Sequence, residues 1–158
     1  MPKKAKLRWD DTTGAVANAH AQLPSLASAY FNAGRKLMNG SPTPVKLHGF
    51  RLKTKRLRYT LELFRPCYGP GLEQRLESLR QIQTLLGEVN DCVAARRVAA
   101  GTLSPRSAQF RDFKRFLDAR ATRLAGRFHR YWRQQFDAPG REEWWTRYLR
   151  VASRLSAR

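Results

Sequence analysis

Four clusters rich in glycine and proline divide this chain into segments of helix length: NGSPTP (Asn39–Pro44), CYGPG (Cys67–Gly71), GTLSP (Gly101–Pro105) and DAPG (Asp137–Gly140). Clusters of this kind end helices or start them. Between them, no segment alternates apolar and polar residues in the manner of a strand bounded by turns. The pattern predicts an all-α fold. A first helix is expected over Thr12–Met38, with Pro24 kinking it or splitting it in two. A second is expected over Thr43–Arg65, and a third from Leu72 through Gly87 into VNDCVAARRVAA. A fourth should cover Ser104–Phe136, and a last short one EEWWTRYLRVASRL. Short connections between long helices favour antiparallel neighbours, so the expected architecture is an up-down bundle of four long helices plus a short C-terminal helix. The 158 residues, 42% of them hydrophobic, suit a single domain at 12–158 behind a basic N-terminal arm at 1–11.

Charge narrows the partner. Thirty-one Lys and Arg stand against twelve Asp and Glu, a formal net charge of +19, which suits a polyanion: nucleic acid, anionic membrane or a phosphate polymer. The arginines are spread through segments with helical apolar period, so much of the charge is expected on folded faces. On a helical wheel Phe50, Leu57, Leu61 and Phe64 form a core stripe. His48, Arg51, Lys55 and Arg58, spaced i, i+3, i+7, i+10, form a second stripe about 120° away. The fourth helix repeats the spacing with Arg120, Arg123, Arg127 and Arg130, about 120° from Phe110, Leu117, Leu124 and Phe128 but in the opposite sense. In an up-down bundle the second and fourth helices run parallel, so the two stripes either converge on one groove or diverge from it. A single basic stripe is most often only a solvated face. Two of identical spacing, against so few acids, favour an anion site, because neighbouring like charges repel by a few tenths of a kcal/mol per pair unless an anion offsets them.

Several classes are excluded or demoted. Cys67 and Cys92 are the only cysteines and lie far apart, so they make neither a zinc site nor a disulfide framework and are expected as small core residues in a reducing cytoplasm. No apolar run is long enough to span a bilayer, and the basic start leads into Trp9, Asp10 and Asp11 instead of a secretory core, so a cytoplasmic protein with no membrane partner is expected. No acidic cluster offers metal ligands and no Gly-rich loop cradles phosphate, so no metal, cofactor or catalytic residue is assigned and the chain is read as a non-enzyme. His20 and His129 are taken as structural, and Trp132, Phe136, Trp144, Trp145 and Tyr148 as core.

The stretch LHGFRLKTKRLRYTLELF (Leu47–Phe64), the Tyr68-Gly69 pair and LESLRQIQTLLGEVND (Leu76–Asp91) resemble the CHAD domain, the conserved histidine α-helical domain. Its repeat reads H-x-x-R-x-x-x-K-R-L-R-Y, a Tyr-Gly turn, then L-x-x-L-Q-x-x-L-G-x-x-x-D. The resemblance implies an all-helical fold that binds inorganic polyphosphate through His48, Arg51, Lys55, Arg56 and Arg58, and association with a triphosphate tunnel enzyme. Typical members carry two repeats and this chain carries one, which implies a homodimer. Asn90 stands where the family often has an arginine before the acid, which removes a structural ion pair. The resulting expectation is a cytoplasmic module, at polyphosphate granules, that binds the polymer in a groove lined by the second and fourth helices. Two alternatives are a non-specific RNA- or DNA-binding helical protein and a granule-surface scaffold that exposes the late tryptophans.

Overall fold

The computed structural model describes residues 6–151. Five α-helices follow in order: α1 (Ala15–Asn39), α2 (Pro44–Leu63), α3 (Gly71–Thr102), α4 (Ala108–Tyr131) and α5 (Arg141–Val151), and the described residues contain no strand. Local chemistry sets the starts. The Thr43 hydroxyl accepts from the Lys46 amide at the head of α2, with Pro44 in the first turn, where its missing N–H costs nothing. Ser107 caps α4 by accepting from the Phe110 amide at 3.1 Å. Pro24 does not split α1. It lies buried inside one continuous 25-residue helix. Residues 1–5 of the expected basic arm lie outside the described residues. Further along that segment, the Trp9 ring stacks on Phe64, and Asp10 shares two hydrogen bonds with the buried Asn18 of α1.

Side-chain pairs fix the directions. His48 meets Asn90 and Glu62 meets Arg80, so α2 and α3 are antiparallel. Asp118 meets Arg96 and Arg127 meets Glu88, so α3 and α4 are antiparallel as well. Hence α2 and α4 run parallel, and α3 packs against both. On the other flank α1 packs on α2 and α5. The main core takes α3 only as far as Cys92, and its buried α4 members begin at Leu124, with Ala121 packed against them. Beyond those points α3 and α4 continue as a two-helix hairpin, burying Ala99 and Leu117 outside the main cluster.

The fourth helix does not stay α-helical to Phe136. From Trp132 to Phe136 it widens into a π turn, closed by the Asp137 amide donating to the Trp132 carbonyl at 2.8 Å. Trp132 and Phe136 both point inward from this turn, their rings stacked with centroids 4.9 Å apart. Room for the indole comes from α1: a methyl at Gly34 would fall 2.1 Å from Trp132 Cζ2 and Cη2. A mid-helix glycine ordinarily costs about 1 kcal/mol relative to alanine, and here the close approach requires it.

The turn that follows is tied down by charge. Arg35 of α1 makes a two-pronged bond to Asp137, with Nε 2.9 Å from Oδ2 and Nη2 2.6 Å from Oδ1, and its third nitrogen reaches Glu142. At the head of α3, Arg75 is buried with no carboxylate partner. It is compensated instead by two carbonyls, Gly71 and Trp144, and by the Trp144 and Tyr148 rings on α5, 3.4 and 3.9 Å from its central carbon. Burial pulls its pKa down to about 10. Trp132, Phe136 and Trp145 are buried, and Trp144 and Tyr148 pack against the core. The exposed tryptophan patch on which a scaffold reading depends is therefore absent from this part of the chain.

Candidate functional site

On α2 the core takes Leu47, Phe50, Thr54, Leu57 and Leu61. One side of that face is left to the stripe. His48 at its head is exposed, while Arg51, Lys55 and Arg58 are half-buried along the seam with α3. His48 Nδ1 lies 3.1 Å from Asn90 Oδ1. The contact occupies Nδ1 and leaves Nε2 as the second ring nitrogen. Asn90 is thus the histidine's orienting partner, a role hidden in a sequence that only shows a missing arginine. Arg51 passes over Gly87, its Nε 3.8 Å from where a side chain there would begin. Arg58 lies 3.8 Å from Glu62, which it shares with Arg80 of α3 at 3.7 Å. The Arg58 guanidinium also rests over the half-exposed Tyr59 ring at 4.7 Å, with the Lys55 ammonium at 6.0 Å. The Nε atoms of Arg51 and Arg58 are shielded from solvent and lack an acceptor. Arg56 is exposed but falls outside the stripe, since one residue on from Lys55 means about 100° around the helix.

On α4, Arg120, Arg123, Arg127 and Arg130 are all exposed. Arg127 reaches across to α3, 3.6 Å from Glu88. The two stripes are therefore separated by α3, with Arg51 beside Gly87 and Arg127 beside Glu88. Their overlap is partial. Arg120 lies nearer the level of the Arg96–Asp118 pair, and Arg123 falls between that pair and Arg127. The strip of α3 between the stripes includes Glu88 and Asp91, acids that a polyanion has to bypass or that Arg127 must neutralise. Asn90, Gly87 and Glu88 were not legible as site residues from spacing alone. They become so only through the antiparallel register of α2, α3 and α4.

The sequence model of the CHAD domain matches residues 3–100, more than half of the chain. The chain belongs to the CHAD domain family. Searches among curated proteins and among solved structures returned no match. The matched range takes in α1, α2 and nearly all of α3, so the CHAD pattern covers His48, Arg51, Lys55, Arg56, Arg58 and Asn90. It stops before α4. The arginines of α4 therefore stand on geometry alone, whereas those of α2 stand on geometry and on the CHAD motif together.

Proposed function

We propose that this CHAD protein binds inorganic polyphosphate, without catalysis, on the surface where the α2 stripe and the α4 stripe flank α3. The observation that carries the reading is the row of His48, Arg51, Lys55 and Arg58 along one side of α2, facing the exposed α4 arginines across one helix. A flexible, unbranched chain of charges suits such a surface. Arginine offers forked donors to phosphate oxygens and lysine a point charge, with His48 at the head of the row. CHAD is known as a polyphosphate-binding family, which agrees with this reading. A net charge of +19 would hold RNA or DNA by charge alone, so the test must be positional. Crystals soaked in short-chain polyphosphate should show phosphate density bridging Arg51, Arg58 and Arg127. Density confined to other faces of the bundle would overturn the assignment.

The same reading takes the protein as cytoplasmic, at polyphosphate granules, and as a companion of a triphosphate tunnel enzyme. It also makes the protein a homodimer, because a one-repeat chain corresponds to half of a typical CHAD protein and a two-fold partner would extend the surface. Light scattering at micromolar concentration should then return about twice the chain mass of 18.2 kDa. A strictly monomeric mass with polyphosphate still tightly bound would remove the dimer from the picture.

A further inference from the structure

Polyphosphate has no apolar atoms, yet the basic face of α4 carries two partly exposed aromatic rings. Phe113, Phe116, Arg120, Arg123, Arg127 and Arg130 recur at i, i+3, i+7, i+10, i+14 and i+17, so they share one side of the helix along roughly 27 Å. Phe113 is 41% exposed and Phe116 55%. Neither belongs to the core or packs against it. Both sit on the hairpin extension, at the end of the stripe farthest from the π turn.

We propose that this face of α4 also binds single-stranded nucleic acid, with bases stacked on Phe113 and Phe116 and the sugar-phosphate chain running along the arginines. The pairing of features selects the ligand. A second copy paired along this face would bring two strongly cationic stripes together. A bare phosphate polymer would leave both rings in water. A single strand uses both halves of the face at once: every base has a π surface for a phenylalanine, and its phosphates repeat along the direction of the stripe. Because the rings lie outside the main core, their removal leaves that core intact.

The test uses the full chain with a fluorescein-labelled 20-residue oligouridylate, followed by anisotropy at fixed ionic strength, beside polyphosphate of equal phosphate number and poly-glutamate. Phe113→Ala/Phe116→Ala should weaken oligouridylate binding by about tenfold or more for each ring. Polyphosphate affinity should stay within about twofold. Equal losses for oligouridylate and poly-glutamate, or no loss for oligouridylate, would overturn the proposal. Vesicles of mixed phosphatidylglycerol and phosphatidylcholine form a further arm, because Val98 is 66% exposed on α3 and an aliphatic side chain offers lipid something it cannot offer a base. If the double variant loses vesicle binding and keeps oligouridylate binding, the rings serve an anionic membrane surface and the nucleic-acid assignment fails. Polyphosphate binding has its own variants on α2, so either reading can fail while the other stands.

Discussion

Gly34→Ala is expected to destabilise the bundle by about 3 kcal/mol or more, enough to lower the melting temperature by roughly 6–12 °C. The added methyl would fall 2.1 Å from two atoms of the Trp132 ring. That ring cannot retreat, because it is 1% exposed and packed by Tyr30, Phe50, Phe128 and Phe136. Helix propensity works the other way, since alanine is favoured over glycine inside a helix by about 1 kcal/mol, and the overlap wins. The contrasting substitution is Gly126→Ala in α4. There the nearest atom to the new methyl would be the tip of Arg130 at 3.7 Å, so propensity alone acts and stability should rise by up to about 1 kcal/mol. Thermal unfolding followed by circular dichroism at 222 nm compares the two. A Gly34→Ala protein as stable as its parent would mean that the contact between α1 and the π turn yields.

The second large effect concerns binding. Exchanging Arg51, Lys55 and Arg58 together for glutamine should weaken polyphosphate binding about a hundredfold. Charge-assisted hydrogen bonds contribute about 1.5–3 kcal/mol each, and three on one face overlap, so the loss is smaller than their sum. Exchanging Lys3, Lys4 and Lys6 removes the same charge from the N-terminal segment and should cost less than about tenfold. Isothermal titration at fixed ionic strength measures both. Losses of similar size would show that the net charge acts diffusely and that α2 carries no site. The triple variant should unfold at a temperature close to that of its parent, because Glu62 keeps Arg80 as a partner and no core contact is removed.

Helical period was the most legible property of this sequence, and the reason is physical. Phe50, Leu57, Leu61 and Phe64 recur at the spacing that one face of a helix demands, and all four are buried. The α4 stripe was nearly as clear, with Leu117, Leu124 and Phe128 buried. Phe110 is only half-buried, because it rides on the hairpin extension where α1 and α2 no longer add their side of the core. The π turn was not legible. Trp132 and Phe136 are four apart, which reads as ordinary α-helix, and only the hydrogen bond from Asp137 back five residues betrays the extra residue. Among the site residues, the stripes on α2 and α4 followed from arithmetic on one helix at a time. Asn90, Gly87 and Glu88 depend on which residue of α3 faces which residue of its neighbours, a register that no single-helix period contains. Gly34 is similar: its role lies in a ring nearly a hundred positions away.

The packing of α5 on α1 carries a consequence for synthesis. Phe31 and Arg35 of α1 find their partners Trp145 and Glu142 only near the other end of the described chain, so a ribosome must deliver some hundred residues between the two halves of that contact. Until then the nascent α1 can bury one flank against α2 while the flank meant for α5 stays open to water and to chaperones. The basic stripes of α2 and α4 are complete before the bundle is closed. A nascent chain halted before α5 would thus carry its cationic surface on a fold with one wall missing.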